Sequence, residues 1–199
     1  MAEAKALLAA ARDDRLYAYW TVALGVGLRR GEALGLRWCD LDLDAGILRV
    51  CQTLQRAGGR LVLVPPKTER SRRSVPLPTV AVTGLREHRR AMAIEALARG
   101  QALDDEGLVF TSTVGTPLEP RNLNRAFDAL LGRAGLRHVR LHDLRHTCAT
   151  LLLAQGVPAR VVMEILGHSA IAVTMNTYSH VVPSLQREAA QRMDDALGL

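Results

Sequence analysis

Apolar residues recur at helical spacing along most of the chain. The pattern predicts helices over 3–11, 14–25, 78–98, 120–134, 142–155 and 159–166, a short helix ending near Trp38, and two further helices over 171–178 and 183–197. Pro78 and Pro120 stand at helix starts, and Asp13 or Asp14 is placed to cap the second helix. The chain is therefore predicted to be mostly helical.

Three short runs between the helices are typical of β-strands, at 47–54, 60–64 and 73–77. A turn at 57–59 joins the first two runs, 65–71 joins the second to the third, and 40–46 is predicted to be a loop. The expected fold class is mainly α with a small three-stranded antiparallel β-sheet (α+β). Without an internal repeat or a low-complexity linker, residues 1–199 are predicted to form one domain.

Charge and composition narrow the possible partners and the compartment. A net charge of +6 and a pI near 9.9 favour an anionic partner, most commonly nucleic acid. The longest apolar run, 16–28, is shorter than the roughly 20 residues of a membrane crossing. Three scattered cysteines form neither a disulfide framework nor a zinc ribbon. We expect a soluble, cytoplasmic, nucleoid-associated protein that does not contact membranes.

Lysine is nearly absent among the basic residues. Of 26 lysines and arginines, only Lys5 and Lys67 are lysine. An ammonium can give up a proton when its pKa is lowered, whereas a guanidinium effectively never does. Lys67 is therefore a candidate for proton transfer, and an ordinary surface lysine is the alternative.

The last third of the chain holds residues able to grip and attack a phosphate: His142, Arg145, His168 and Tyr178. His142 and Arg145 are three apart and are expected to share a helix face. Metal-free cleavage of a phosphodiester needs a nucleophile, cations for the non-bridging oxygens and an acid for the leaving oxygen. The competing interpretation is that His142 and His146 bind zinc as in H-E-x-x-H, although Asp143 replaces the glutamate and no third ligand is evident.

These residues resemble the catalytic domain of the tyrosine recombinases, the phage integrase family. The resemblance extends over residues 27–32, 36–40, the Leu166-Gly167-His168 turn and 177–181. The family's catalytic positions fall on Arg29, Lys67, His142, Arg145, His168 and Tyr178. This likeness implies a mostly helical fold with a small antiparallel sheet.

The resemblance also implies a mechanism without metal, cofactor or ATP. Tyr178 would attack the scissile phosphate to form a 3′-phosphotyrosyl bond. Two arginines, Arg29 and Arg145, would hold the non-bridging oxygens while Lys67 protonates the leaving 5′-oxygen. His142 would act as base and His168 would hydrogen-bond the phosphate. Glu32 is expected to support Arg145, Arg29 or His142, or to form a simple helix salt bridge.

Double-stranded DNA is the expected partner. Two groups of basic residues are candidates for phosphate contacts: Arg70, Arg72 and Arg73 beside Lys67, and Arg121 and Arg125 on one helix face. Solvated surface charge is the alternative for both. Complete family members carry a DNA-clamping core-binding domain before the catalytic one. We expect that N-terminal domain to be absent from this chain, with weaker DNA binding as the result.

The expected assembly is a monomer when free and a homotetramer on DNA. Three rival functions remain open from the sequence: a type IB topoisomerase, a non-catalytic DNA-binding relic and a zinc hydrolase. The target site, the direction of recombination and the accessory proteins do not follow from these residues.

Overall fold

The computed structural model describes residues 1–66, 71–167, 190–191 and 193–198. The helices are α1 (Ala2–Ala10), α2 (Tyr17–Val26), α3 (Arg30–Leu34), a 3-10 turn (Trp38–Asp40), α4 (Thr79–Ala98), α5 (Pro120–Arg133), α6 (Asp143–Ala154) and α7 (Ala159–Leu166). The strands are β1 (Leu41–Asp42), β2 (Ile47–Val50), β3 (Thr53–Ala57), β4 (Arg60–Val64) and β5 (Arg73–Pro76). The predicted class, mainly helical with a small antiparallel sheet, is confirmed.

The strands form two antiparallel units. β2 pairs with β1 on one side and β5 on the other, and β3 pairs with β4 as a separate hairpin. The predicted first strand, 47–54, is therefore split between two units. At the break Gln52 donates from Nε2 to the carbonyl oxygen of Gly35 at 2.8 Å, which ties this point of the chain to the end of α3. The predicted loop 40–46 is also corrected, because its first part pairs as β1.

Helix α2 lies at the centre of the core. Every residue of α2 except Gly25 is buried, as expected of a helix that is apolar all round. It packs against α4 and α6. Its rings Tyr19 and Trp20 contact Phe110 and Phe127 with centroids 5.2 and 5.5 Å apart. The position of α2 fixes where its C-terminal end, and the residues that follow, lie in the domain.

The start of α2 differs from the prediction. Helix α2 begins at Tyr17, and the carboxylate of Asp14 accepts a hydrogen bond from the backbone N–H of Leu16 at 2.9 Å. An aspartate that bonds the backbone two residues ahead stabilises a turn in place of a helix. Residues 14–16 therefore form the turn into α2, and neither Asp13 nor Asp14 is its N-cap.

The backbone of α3 and of the glycine after it lies so close to β3 that a side chain at Gly31 or Gly35 would not fit. A Cβ at Gly31 would lie 2.5 Å from Oγ1 of Thr53, and one at Gly35 would lie 2.9 Å from the backbone nitrogen of Leu54. Only glycine fits at these two positions without movement of the hairpin. This contact fixes the position of α3 on the β3–β4 unit. It also fixes Arg29, which directly precedes α3.

The predicted helix over 171–178 lies outside the described residues, as does most of 183–197. Within that last segment residues 190–191 and 193–197 are helical. No helix in the described part of the chain is long and apolar enough to cross a membrane.

Candidate active site

Two glycines in the left-handed conformation bring distant helix ends together. Gly27 ends α2 with φ 67°, and Gly167 ends α7 with φ 67°. A Cβ on Gly27 would lie 2.6 Å from Cδ2 of Leu166 and 3.2 Å from Sγ of Cys148. The end of α2 therefore packs directly on α6 and on the last turn of α7.

The last carbonyl groups of α7 are held by three arginines from three different parts of the chain. Such carbonyls have no partner within their own helix and carry the negative end of its dipole, so cations stabilise them. The contacts are Arg73 Nε to the oxygen of Ile165 at 2.8 Å, Arg145 Nη2 to Leu166 at 2.7 Å and Arg29 Nη2 to Gly167 at 2.8 Å.

Arg145 is the most deeply buried of the three. Its residue is 4% exposed, and its Nη1 donates to the carbonyl oxygen of Gly27 at 2.6 Å. One guanidinium therefore joins the end of α2 to the end of α7. Because a planar guanidinium donates along fixed directions, these two bonds also fix its orientation.

Glu32 binds two of the arginines from the first turn of α3. Its Oε1 accepts from Nη1 of Arg29 at 2.7 Å, and its Oε2 accepts from the backbone N–H of Arg29 at 2.9 Å. Arg73 donates to both oxygens, at 3.2 and 2.9 Å. Burial works to raise the pKa of Glu32, but the hydrogen bonds from Arg73 and Arg29 outweigh it, and the pKa lies below its ordinary value. Glu32 is thus an anion at neutral pH.

The guanidinium of Arg29 reaches the protein surface. Its side chain is 42% exposed, whereas that of Glu32 is 7% exposed. Within the described residues, Arg29 uses one N–H of each Nη on protein acceptors, which leaves three of its five N–H groups for a ligand. Arg29 is therefore able to bind an anion while remaining fixed to the protein.

His142 lies at the N-cap position of α6. Its side chain is only partly covered by the protein, while Arg145, in the same first turn, is buried. Partial burial, then the neighbouring His146 and Arg145, lower the pKa of His142. A histidine with a lowered pKa is neutral near pH 7 and can accept a proton.

The rings of His142 and His146 meet edge to face with centroids 5.0 Å apart. Among the described residues, no group of three or more histidine, cysteine, aspartate or glutamate side chains is arranged to hold a metal ion. The described residues therefore supply no third zinc ligand beside His142 and His146.

Comparison with known proteins identifies the family. The sequence model described as the phage integrase family matches residues 1–184. The chain belongs to this family. A tyrosine recombinase XerC-like protein of Caldanaerobacter subterraneus is 38% identical over 97% of this chain and 52% of its own length. The ICEBs1 integrase of Bacillus subtilis is 30% identical over 94% of this chain and 50% of its own. The chain thus spans about half the length of these curated relatives.

Solved structures of recombinases share the fold. The XerA recombinase superimposes with a TM-score of 0.74 and 26% identity, covering 95% of this chain and 61% of that one. The Tn1549 transposon integrase, in complex with transposon right end DNA, superimposes with a TM-score of 0.78 and 25% identity, covering 96% and 64%. The helices and strands around Arg29 and Arg145 therefore have the architecture of recombinase structures.

The structure describes only some of the predicted site residues of this phage integrase family member. It brings Arg29, Glu32 and Arg145 together at the end of α7, and His142 lies in the first turn of α6. Glu32 pairs with Arg29, one of its expected partners, and the pair has the i,i+3 spacing of a helix salt bridge. Four predicted residues lie outside the described part of the chain: Lys67, Arg70, His168 and Tyr178.

The expectation that Arg73 contacts DNA phosphates is corrected. Its side chain is 7% exposed and donates to Glu32 and to the carbonyl oxygens of Ile165 and Ser71. Strand alternation was the signal that could have shown this, because Arg73 and Val75 are two apart in β5 and Val75 is buried. Arg72, directly before β5, is exposed.

The predicted arginine pair on α5, Arg121 and Arg125, is exposed. Helix α5 is joined to α3 by Arg30, whose Nη1 donates to Asn124 at 3.4 Å. Arg56 of the hairpin forms an ion pair with Glu119 at the N-cap of α5. The exposed face of α5 therefore adjoins both α3 and the β3–β4 hairpin.

Proposed function

We propose that this chain is the catalytic domain of a site-specific DNA recombinase. It cleaves and rejoins DNA strands through a 3′-phosphotyrosyl intermediate on Tyr178, without metal or cofactor. The proposal rests on one observation above all: Arg29 and Arg145, far apart in sequence, are fixed on adjacent carbonyl groups immediately before His168. The family and the names of its recombinase and integrase members support it.

The reaction balances without an external reagent. The phenol oxygen of Tyr178 bonds to phosphorus while His142 takes the phenol proton. The bond from phosphorus to the 5′-oxygen breaks, and Lys67 gives that oxygen a proton. A 5′-hydroxyl of a second strand then attacks the phosphotyrosine and reverses each transfer. Bond energy is conserved, so ATP is not needed.

The guanidinium groups stabilise the charge that develops on the non-bridging oxygens. Arg29 has three N–H groups available and is held in advance by Glu32 and Gly167, so little reorganisation precedes the reaction. A donor positioned in this way typically lowers the barrier by about 3–4 kcal/mol.

Double-stranded DNA is the proposed substrate, bound across α3, α5 and the β3–β4 hairpin. Exposed arginines of these elements are candidates for the contacts: Arg30, Arg56, Arg121 and Arg125. Arg72, directly before β5, is a further exposed candidate. Contacts from such residues to backbone phosphates supply affinity without reading sequence. We further propose a homotetramer on DNA, a monomer in its absence, and action on the nucleoid in the cytoplasm.

Covalent capture tests the proposal and identifies the target DNA sequence in the same experiment. The 199-residue chain is incubated in EDTA with a pool of duplexes of randomised sequence, each nicked so that cleavage releases a short fragment. Protein-linked DNA that survives denaturant is recovered and sequenced. We expect a defined site enriched by the wild-type chain and no covalent DNA with Tyr178→Phe. An adduct that persists in Tyr178→Phe, or none with the wild-type chain, contradicts the proposal.

Relaxation of supercoiled plasmid separates recombination from topoisomerase activity. The named relatives are recombinases and integrases, which favours strand transfer at a defined site. We expect plasmids that contain the enriched site to recombine and plasmids without it to remain supercoiled. Relaxation of both plasmids at the same rate would favour the topoisomerase.

A further inference from the structure

We propose that Arg73 is a positioning residue for cleavage, an inference that rests on the proposed function. It acts through Glu32 to keep the guanidinium of Arg29 turned toward the phosphate, and through the carbonyl of Ile165 to fix the end of α7. In this proposal Arg73 acts through other residues and does not touch the substrate, and its hydrogen bonds go to Glu32 and to the carbonyl oxygens of Ile165 and Ser71.

The pair between Arg73 and Glu32 is a buried fork. Nη1 and Nη2 of Arg73 donate to Oε1 and Oε2 of Glu32 at 3.2 and 2.9 Å, and both side chains are 7% exposed. Removal of one partner of such a pair leaves the other charge buried without compensation. The surrounding groups must then rearrange around Glu32.

Arg73 and Arg29 share the same carboxylate. While Arg73 occupies both oxygens of Glu32, Arg29 makes a single side-chain contact with it, from Nη1 at 2.7 Å. Without Arg73, the guanidinium of Arg29 is free to form its own two-bond fork with Glu32, the favoured geometry for this pair. That fork would use N–H groups that otherwise face the ligand. Arg73 therefore keeps Arg29 available.

The second contact of Arg73 ties the sheet to α7. Arg73 pairs with Val50 in the β2–β5 ladder, and its Nε donates to the carbonyl oxygen of Ile165 at 2.8 Å. A Cβ on Gly167 would lie 2.8 Å from Nη1 of Arg73, so the guanidinium fills the space beside this glycine. The strand thus holds the end of α7, where Gly167 binds Arg29.

Lysine cannot replace Arg73 in this arrangement. The guanidinium makes a planar fork to a carboxylate and a third bond from Nε in a different direction, whereas an ammonium is a point charge. Arg73→Lys keeps the charge and much of the volume but loses the fork. This variant therefore separates the geometry of the contact from its charge.

A matched control exists at the opposite end of α2. Arg15 donates from Nε and Nη2 to both oxygens of Glu95 at 2.9 and 2.7 Å, and from Nη1 to the carbonyl oxygen of Thr111 at 2.7 Å. Like Arg73, it contacts a carboxylate through two bonds and also a backbone carbonyl, but the side chains of this pair are more exposed, at 26% and 30%. Arg15→Lys therefore reports the effect of losing such a pair away from the site.

Two DNA substrates distinguish positioning from folding. Both carry the site enriched by covalent capture; in one the scissile phosphate is a normal diester, and in the other a methylphosphonate, which lacks the charged non-bridging oxygen. With Arg73→Lys we expect adduct formation on the diester to fall by about 10²-fold, the effect of one misplaced donor. On the methylphosphonate the rate should approach that of the wild-type chain on the same substrate, because the methyl group removes one negative charge from the transition state and leaves less charge for Arg29 to stabilise. Arg15→Lys should change both rates in the same proportion.

DNA affinity supplies an independent readout. Because Arg73 is buried, Arg73→Ala should leave the salt dependence of DNA binding unchanged, whereas loss of a phosphate contact lowers the slope by about 1. All rates are scaled to the folded fraction measured by circular dichroism, and Arg73→Lys supplies the result if Arg73→Ala does not fold.

The outcomes are distinct. Equal losses on both substrates, an unchanged rate on the diester, or a reduced salt slope would each overturn the positioning role. Absence of any adduct from the wild-type chain would instead contradict the proposed function.

Discussion

The guanidinium of Arg29 donates a hydrogen bond of 2.8 Å to the carbonyl oxygen of Gly167, 138 positions later in the chain. The next residue in sequence is His168. A bond at this point couples the position of Arg29 to the end of α7. Movement of Arg29 would displace the end of α7, and the reverse also holds. We therefore expect both positions to be fixed before DNA binds.

Replacement of Arg29 by lysine should abolish most cleavage. The ammonium retains the charge but cannot bond Glu32, Gly167 and a phosphate oxygen in fixed directions. We expect the single-turnover rate of adduct formation to fall by about 10²–10³-fold. DNA affinity, measured by fluorescence anisotropy, should change little, because many other basic residues contribute to it.

Arg86 provides the control for this substitution. It is an exposed arginine on α4 that pairs with Asp44 at 2.7 Å. Arg86→Lys should cleave at the wild-type rate. A comparable loss in both variants would show that the effect of Arg29→Lys is not specific to the site.

Replacement of Gly27 by alanine should destabilise the fold. The residue has φ 67°, and the added Cβ would lie 2.6 Å from Cδ2 of Leu166. Strain at positive φ and displacement of a buried leucine both act against folding. We expect the free energy of unfolding to fall by about 1–3 kcal/mol, measured by urea denaturation.

Two other glycines separate the contributions. Gly58 has φ 54°, and a Cβ added there would meet nothing within 4 Å, so Gly58→Ala reports the cost of the backbone conformation alone. Gly132 lies in the last turn of α5 with open space around it, and Gly132→Ala should stabilise the protein by at most about 0.5–1 kcal/mol, the value for the middle of a helix. An equal effect of Gly27→Ala and Gly58→Ala would contradict the close contact with Leu166.

His142 should titrate below its ordinary pKa of 6.5. Partial burial and the charges of His146 and Arg145 disfavour its protonated form, so it remains a neutral base to lower pH than a free histidine. In His146→Gln one of these charges is removed, and the pKa of His142 should rise. The acid limb of the cleavage profile should move to higher pH with it.

Proton NMR of the six histidines measures this titration directly. His138→Gln is the control, since the side chain of His138 is 76% exposed and lies beside Asp128. It should leave the titration of His142 unchanged. A pKa of His142 at or above 6.5, or a downward shift in His146→Gln, would contradict the assigned causes.

Arg121 and Arg125 should contribute to DNA affinity without affecting selectivity. Both are exposed on α5, next to α3, which Arg29 precedes. We expect each alanine variant to weaken binding to all duplexes alike and to lower the slope of log affinity against log salt by about 1. Unchanged slopes in both variants would place the DNA on another face.

Local patterns predict much of the secondary structure but not its pairing. For the helix Ala159–Leu166 the predicted bounds agree with the structure, because its apolar spacing and the glycine after it are local signals. The split of 47–54 between two strand units does not follow from the local pattern. It depends on which partner each half finds, β5 for one and β4 for the other.

The sequence alone determined the residue types at the site, the family they resemble and the helix-ending glycines, because those features are local. The tertiary structure alone decided what each arginine does. Arg72 and Arg73 are neighbours of identical chemistry, yet one is exposed and the other is buried against Glu32, 41 positions away. Arg72 directly precedes β5, and Arg73 is its first residue. Local alternation indicates that Arg73 faces the same way as the buried Val75, but only the contacts of β5 with Glu32 and with α7 decide that a carboxylate lies on that side.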